Sequence, residues 1–375
     1  MTPGLRVALV HDWLTGMRGG ERCLEVFCEL FPDADLFTLL HVPGSVSPVI
    51  ERRRIVTSFV QRLPQAVDRY RYYLPLFPAA VRSFDLSAYD LVLSSSHAVA
   101  KAARRGPRAT HVCYCFTPMR YVWDLYDDYF GARAPRAARV AMPAVAAALR
   151  RWDRRTSARP DRIVAISYFV ADRIRRVWER TADVIYPPVD LSRFTIAPDG
   201  PDDYYLVVSA LVPYKRVDLA VAAATVLGRR LLVAGTGPED ARLRAAAGPT
   251  VEFLGWRSDA EVADLYAGCR AVLFPSVEDF GIVPLEAMAS GRPVIALGAG
   301  GAAETIVPVG GSDDAAATGV FFGEQTVPAV IEAIRTFEEH EARFDPKALR
   351  ARAEPFDRPI FRDRIAACLR EALSC

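Results

Sequence analysis

Short apolar runs of strand length recur along this chain, each followed by a segment of helical period, in two successive series. The first series comprises residues 6–10 (RVALV), 34–40, 91–94, Thr110–Cys115 and 162–166. Its opening run ends at His11-Asp12-Trp13, passes through the glycine-rich turn 15–21, and enters an amphipathic helix over 21–31 with Leu24, Phe27 and Cys28 on one face. The second series reads 183–186, 205–209, Leu231–Ala234, 251–254, Ala271–Phe274 and 293–296, with helices such as Val217–Leu227 and Asp259–Gly268 between. Strands alternating with helices force a parallel sheet, because a parallel neighbour is reached only by a crossover, and helices then cover both faces. The fold class is therefore α/β, with two doubly wound halves. Its 375 residues suit two domains at roughly 150 each. Pro187-Pro188 and the Pro/Asp/Gly stretch 197–203 mark the changeover. A ligand is expected at the carboxyl ends of the strands, in a cleft between the halves.

With 51% hydrophobic and 25% charged residues, the chain is neither disordered nor fibrous. The longest apolar run, 140–149, is half a bilayer span and is interrupted by Pro143. Residues 1–10 lack the apolar core of a secretory signal, so a soluble cytoplasmic protein is expected. The seven cysteines are scattered, with no C-x-x-C and no histidine pair at ligand spacing, which predicts reduced thiols and no structural metal. The net charge of +2 hides an asymmetry: residues 1–190 carry 28 Arg and Lys against 19 Asp and Glu, and residues 191–375 carry 19 against 26. A basic first half suits anionic partners such as phosphorylated substrates, nucleic acid or a membrane face.

The most informative segment is 274–291, FPSVEDFGIVPLEAMASG. A buried strand ends at Pro275, a loop carries Glu278, and a helix begins near Ile282 with Pro284 in its first turn. The amides of Phe280, Gly281 and Ile282 at that helix start form an anion site. Glu286 follows Glu278 by eight positions, so that loop and first turn aim two carboxylates at one pocket. Amides for oxyanions beside carboxylates for hydroxyls match a sugar nucleotide. Taken alone, two such acids are more often surface groups; the strand–loop–helix context favours the site.

The E-x7-E spacing, with Phe280-Gly281 inside it and Pro284-Leu285-Glu286-Ala287-Met288-Ala289 at its end, resembles the signature of family-four retaining glycosyltransferases of the GT-B fold. The opening His11-Asp12-Trp13-Leu14 with Gly19-Gly20-Glu21 is similar to one branch, bacterial mannosyltransferases of O-antigen and other surface polysaccharides. Residues 113–121 (CYCFTPMRY) and 209–218 (SALVPYKRVD) point to that branch too. The resemblance covers nearly the whole chain and implies two Rossmann-like domains facing across a cleft. Residues 1–184 would be an acceptor-binding domain, onto which 355–375 packs back, and 185–354 a donor-binding domain.

By the same resemblance, Glu278 would contact the donor sugar hydroxyls, Glu286 the ribose, and Lys215 the diphosphate. Lys215 is one of only three lysines beside 44 arginines, which points to a specific need for a compact charge. The chain departs from the family at two positions. Ala210 stands where many members have Arg, leaving Arg216 to supply a second cation. Phe116 stands at or near a family histidine, and His97 is the candidate for that role. The turn 16–20, with Arg18, Gly19 and Gly20, would approach the diphosphate or acceptor, with Asp12 and His11 facing the same cleft. Gly300 and Gly301 in the loop 298–304 would let backbone approach the donor. Trp256 and Arg257 sit where the family holds the nucleobase, although packing explains a tryptophan equally well. Gly235-Thr236-Gly237 completes no dinucleotide fingerprint.

Residues 62–82 interleave cations with aromatics and apolar groups (Arg69, Tyr70, Arg71, Tyr72, Tyr73, Leu74, Leu76, Phe77). Residues 133–162 add Arg133, Arg136, Arg139, Arg150, Arg151, Arg154, Arg155 and Arg159. Both suit an anionic membrane face, and no RNA-binding pattern accompanies them; a solvated basic helix is the plainer alternative. The resemblance thus implies a metal-independent retaining transfer of a sugar, mannose from GDP-mannose, to a lipid-linked or surface-polysaccharide glycan at the inner membrane face. No cofactor beyond the nucleotide-sugar substrate is expected. A hydrolysing sugar-nucleotide epimerase and a non-catalytic nucleotide- or glycan-binding protein are the competing readings.

Overall fold

In the computed structural model, residues 4–131, 136–311 and 316–374 are described. The chain divides into two compact units, Met1–Pro188 with Pro359–Cys375, and Val189–Arg358. Among the described residues, thirteen strands form two sheets, parallel throughout.

The first sheet contains β1 (Val7–His11), β2 (Asp35–Thr38), β3 (Arg54–Thr57), β4 (Leu91–Ser96), β5 (Thr110–Cys115), β6 (Arg162–Ala165) and β7 (Asp183–Val184), in the order 3-2-1-4-5-6-7. The second contains β8 (Tyr205–Val208), β9 (Leu231–Ala234), β10 (Val251–Gly255), β11 (Ala271–Phe274), β12 (Val294–Leu297) and β13 (Gly319–Phe322), in the order 10-9-8-11-12-13. Numbered from its own first strand, the second sheet repeats the order 3-2-1-4-5-6. Each sheet therefore reverses once, between β1 and β4 and between β8 and β11, and such a switch point is where doubly wound sheets open a crevice. The expectation of two doubly wound α/β domains is met. Central strands β1, β4, β8, β9, β11 and β12 are buried along almost their whole length, as parallel strands covered on both faces must be.

Residues 183–186 are a correction. They were expected to open the second series, but Val184 pairs with Ala165 of β6 and so closes the first sheet. Two paired residues carry no periodicity that identifies their sheet. The edge strand β3 and the edge strand β13 were not anticipated. β3 is four residues, RIVT, preceded by Arg52-Arg53, an edge strand flanked by cations.

The chain returns to the first unit at Pro359, four residues after the expected 355, because Phe356 stays with the second unit against Phe280 at 6.0 Å. The last helix, Arg358–Ser374, then buries Phe361 between Phe27 and Tyr114, at 5.9 and 5.6 Å between ring centroids. Among the described residues no helix is long and apolar enough to cross a membrane. Arg133 lies outside the described residues.

The helix Arg136–Thr156 is docked through a group that sequence reasoning passed over. Lys101 is buried, its ammonium 2.8 Å from the Asp153 carboxylate and about equally distant from the Trp152 and Trp178 rings, at 5.0 and 4.9 Å. The other Asp153 oxygen accepts from the indoles of Trp123 (2.9 Å) and Trp178 (2.6 Å). Removing one partner of a buried ion pair strands the other charge at a cost of about 3–5 kcal/mol. We therefore expect Lys101→Met to lose about 3–5 kcal/mol of unfolding free energy in urea titration. A loss below about 1 kcal/mol would show that the pair does not hold this helix.

Candidate functional site

In the second unit the loops leaving β8 and β11, the two strands flanking the reversal, meet at their carboxyl ends. The β8 loop carries Lys215 on the one-turn helix Pro213–Lys215, and the β11 loop carries Glu278. The Lys215 ammonium and Glu278 carboxylate form a close ion pair, with side chains 22% and 14% exposed. Ser276, itself buried, donates from its hydroxyl to the same Glu278 oxygen at 3.0 Å. Lys215 and Ser276 line a small concavity with Ser209, Val217, Pro275 and Val283.

Two glycine turns support these loops. A Cβ on Gly300 would fall 2.5 Å from the Glu278 carbonyl oxygen, and one on Gly301 would fall 2.3 Å from the Phe280 backbone. The Gly301 amide also donates to the Glu278 carbonyl at 2.8 Å. Gly300 and Gly301 therefore fasten the Glu278 loop by backbone-on-backbone packing. Gly235 and Gly237 do the same beneath the β8 loop, where added Cβ atoms would lie 1.8 Å from the Ser209 oxygen and 2.3 Å from the Leu211 oxygen.

Gly281, at φ +90°, turns the chain into the helix Ile282–Ala289, whose first amides have no carbonyl within the helix to bond. Phe280 is buried. Glu286 is drawn to the neighbouring helix, where the buried Tyr266 hydroxyl donates to it at 3.0 Å. The Arg216 guanidinium is held by both oxygens of Asp218, at 3.1 and 3.2 Å, rather than by Glu278. Trp256 is 73% exposed, so it is not a packing residue, and the adjoining Arg257 reaches Glu261 at 3.7 Å.

The first unit has a corresponding cluster at its own reversal. Asp12, fully buried at the end of β1, accepts four backbone amides from the loop after β4: His97 and Ala98 on one oxygen (2.7 and 2.8 Å), Val99 and Ala100 on the other (2.7 and 2.8 Å). These bonds make Asp12 a clamp between the β1 and β4 loops. The His97 ring stands edge-on to Trp13 at 4.3 Å, with Nδ1 3.3 Å from Asp12 and the Phe116 ring 6.3 Å away. Burial pushes the His97 imidazole below its ordinary range against the pull of Asp12. Phe116 also covers Gly20, where a Cβ would come within 3.3 Å of the ring.

His11 is buried, with Nδ1 2.7 Å from the Ser95 hydroxyl and Nε2 3.7 Å from Glu21. Burial raises the Glu21 carboxyl, but the hydrogen bond and charge of His11, with a bond from Glu21's own backbone, outweigh it and hold the group below its ordinary range. Arg18 is exposed, and its amide donates to Glu21 at 3.0 Å where the helix Gly19–Leu30 begins. Lys215, Glu278, the Gly281 turn and the Gly300-Gly301 turn thus converge on one loop cluster, whereas Glu286 and Arg216 are tied elsewhere. Ser276 was not read from sequence as part of the site, and Asp12, expected to face the cleft, is instead fully buried as a clamp on the β4 loop.

Two doubly wound parallel sheets, each with polar groups gathered at its switch point, define the GT-B class of two-domain α/β transferases. Two family models match the chain, "Glycosyltransferase Family 4" over residues 17–193 and "Glycosyl transferases group 1" over 189–354. A GDP-mannose-dependent alpha-mannosyltransferase of Mycobacterium tuberculosis is 34% identical over 183 residues, 46% of this chain and 48% of that protein. The chain thus spans about half the length of that relative. A GDP-mannose-dependent alpha-(1-6)-phosphatidylinositol dimannoside mannosyltransferase of the same species is 26% identical over 339 residues, 84% and 83% of the two chains. Among solved structures, sucrose-phosphate synthase from Thermosynechococcus elongatus superposes with TM-score 0.74 at 18% identity, covering 99% of each chain. Anabaena HepE in complex with UDP superposes at 0.68 and 17%, covering 98% of this chain and 100% of that one. These structural likenesses show the fold. The chain belongs to the family-four glycosyltransferases of the GT-B fold.

The Asp12 clamp is open to direct test. Asparagine offers one carbonyl oxygen and turns a donating NH2 toward amide donors, leaving buried N–H groups unpaired. Asp12→Asn is expected to lower unfolding free energy by about 3 kcal/mol in chemical denaturation. A change under about 0.5 kcal/mol would show that the four amides find other partners.

Proposed function

We propose that this chain is a retaining hexosyltransferase that moves mannose from GDP-mannose onto a lipid-linked or surface-polysaccharide glycan. The observation that carries the reading is the meeting of Lys215 and Glu278 at the second unit's switch point, beside the N-terminus of the helix Ile282–Ala289. A cation and helix amides suit a diphosphate, and a carboxylate suits sugar hydroxyls. The donor identity is supported by the printed names of the mannosyltransferase relatives.

In this reading the second unit binds the donor. Lys215 and the amides of Gly281 and Ile282 stabilise the leaving diphosphate, whose charge grows in the transition state. Glu278 orients the sugar, Glu286 faces the ribose, and exposed Trp256 with Arg257 offers a stacking surface for the base. Arg216 joins the diphosphate only by leaving Asp218. The first unit takes the acceptor, with His97, 6.3 Å from Phe116 between ring centroids, as the candidate for the role of the missing family histidine. The acceptor hydroxyl oxygen bonds to the anomeric carbon on the face from which the diphosphate departs. Its proton passes to a phosphate oxygen as the carbon–oxygen bond to phosphate breaks. This same-face course needs no protein nucleophile.

A peripheral place on an anionic membrane is supported by the basic surface of the first unit. Arg150, Arg151, Arg154 and Arg155 line a concavity with Trp123. Burial, with Arg104, Arg82 and Arg155 nearby, pushes the Arg159 guanidinium below its ordinary range. Tyr72 is exposed and adds to that surface, but Tyr70, Leu74 and Phe77 belong to the hydrophobic core, so half of the aromatic run read from sequence is unavailable to lipid.

Thermal-shift titration against GDP, UDP and ADP separates the donor readings, because stabilisation grows with ligand over dissociation constant. GDP is expected to give the largest shift; no shift with any of the three would overturn the donor site. Glu278→Gln is expected to lower transfer at least ~100-fold with folding intact, on the scale of losing one transition-state contact. Consumption of GDP-mannose without any acceptor would instead favour the epimerase reading. Flotation with anionic liposomes is expected at low salt and lost at high salt; absence at low salt would refute the membrane contact.

A further inference from the structure

In the second unit the two groups assigned to the donor are paired with each other. Lys215 is the cation that a diphosphate requires, and its ammonium is spent on Glu278. Glu278 is the carboxylate that sugar hydroxyls require, and one of its oxygens takes both Lys215 and the Ser276 hydroxyl. While the pair is closed, each charge is largely neutralised by the other, so neither meets a ligand at full strength.

We propose that the Lys215–Glu278 ion pair is a ligand-operated latch, which a nucleoside diphosphate opens by competing with Glu278 for the Lys215 ammonium. The proposal rests on the donor reading given above and adds an order of events to it. A diphosphate carries at least twice the charge of a carboxylate, so it outcompetes Glu278 for the ammonium at equal distance. Both side chains keep partial solvent contact, so opening the pair costs far less than breaking a buried one.

Once Lys215 turns away, Glu278 keeps the hydrogen bond from buried Ser276 and the backbone bond that ties its loop to Gly301. The carboxylate is therefore released without being set loose, and faces the sugar already oriented. Ser276 is a positioning residue in this scheme. A hexose lacking the diphosphate meets a carboxylate whose charge Lys215 already neutralises. The latch thus makes sugar recognition conditional on diphosphate recognition.

The consequence runs against ordinary expectation: removing the Glu278 charge should improve binding of the diphosphate. In calorimetric titration with GDP, Glu278→Gln is expected to bind about threefold to fivefold tighter than wild type, the worth of a partly exposed pair. Lys215→Met is expected to bind at least ~10-fold weaker, as loss of a charge-assisted contact does. The gain must require Lys215. In the Lys215→Met background, Glu278→Gln is therefore expected to change GDP affinity by less than ~2-fold, the cycle isolating the pairwise term.

Unchanged or weaker GDP binding by Glu278→Gln, with Lys215→Met weakened, would overturn the latch and leave the donor site standing. A gain that persists in the Lys215→Met background would also overturn it, since simple repulsion between carboxylate and phosphate would then suffice. Failure of wild type to bind GDP, UDP and ADP would overturn the donor reading and the latch with it. Circular dichroism of each variant establishes that it is folded before titration.

Discussion

Where strand order reverses, the loops leaving two neighbouring strands run to opposite faces of the sheet, and a crevice opens between them that here is spanned by side chains. This constraint operates twice in the chain, and each unit meets it differently. In the first, Asp12 leaves β1 and takes four amides of the β4 loop, a carboxylate surrounded by fixed dipoles and closed to solvent. In the second, Lys215 from the β8 loop meets Glu278 from the β11 loop, two ions with part of their surface in water. The first bridge has no competitor, because no solute approaches a group that is 0% exposed. The second is held by charges for which a diphosphate and a sugar both compete. The same topological gap is thus sealed on one side and left exchangeable on the other.

The surrounding structure keeps that exchange local. Gly300 and Gly301 lock the Glu278 backbone, and Gly235 and Gly237 lock the turn beneath the β8 loop, so the side chains move on a fixed frame. Ser276 is buried at the end of β11 and anchors the carboxylate from below. In the first unit, the Lys101–Asp153 pair beneath three indoles fastens the helix Arg136–Thr156, whose exposed arginines face outward from a rigid base. The charge division along the sequence follows this plan: the basic surplus lies on the unit that docks the arginine-rich helix, and the acidic surplus on the unit that carries Glu278 and Glu286.

The two α/β series were legible because buried parallel strands need apolar residues on both faces, a signal that survives without knowledge of partners. Pairing was not legible. Residues 183–186 join the first sheet through two residues only, and the edge strands β3 and β13, as long as several strands that were legible, are flanked by polar residues and do not stand out. At the site, rarity singled out Lys215 in an arginine-rich chain, yet the same argument applied to Lys101, set among alanines at 98–103, where it marks a structural pair. Composition shows that a lysine is needed without showing why. The Asp12 clamp joins residues 85 to 88 positions apart, a separation at which local pattern carries no information.

The glycines sharpen what such reading can and cannot separate. A glycine beside a candidate ligand site was read as room for the ligand, yet at Gly300 and Gly301 the space is filled by the Glu278 and Phe280 backbone. The two meanings are linked. A side chain at either position would push the Glu278 loop outward, since the added carbon would sit 2.5 or 2.3 Å from that backbone. Closeness of chain to chain is then the means by which the carboxylate is brought to Lys215. Loop packing and ligand chemistry are one constraint seen at two distances, which is why the glycine turn and the E-x7-E segment occur together although they lie on different strands of the sheet.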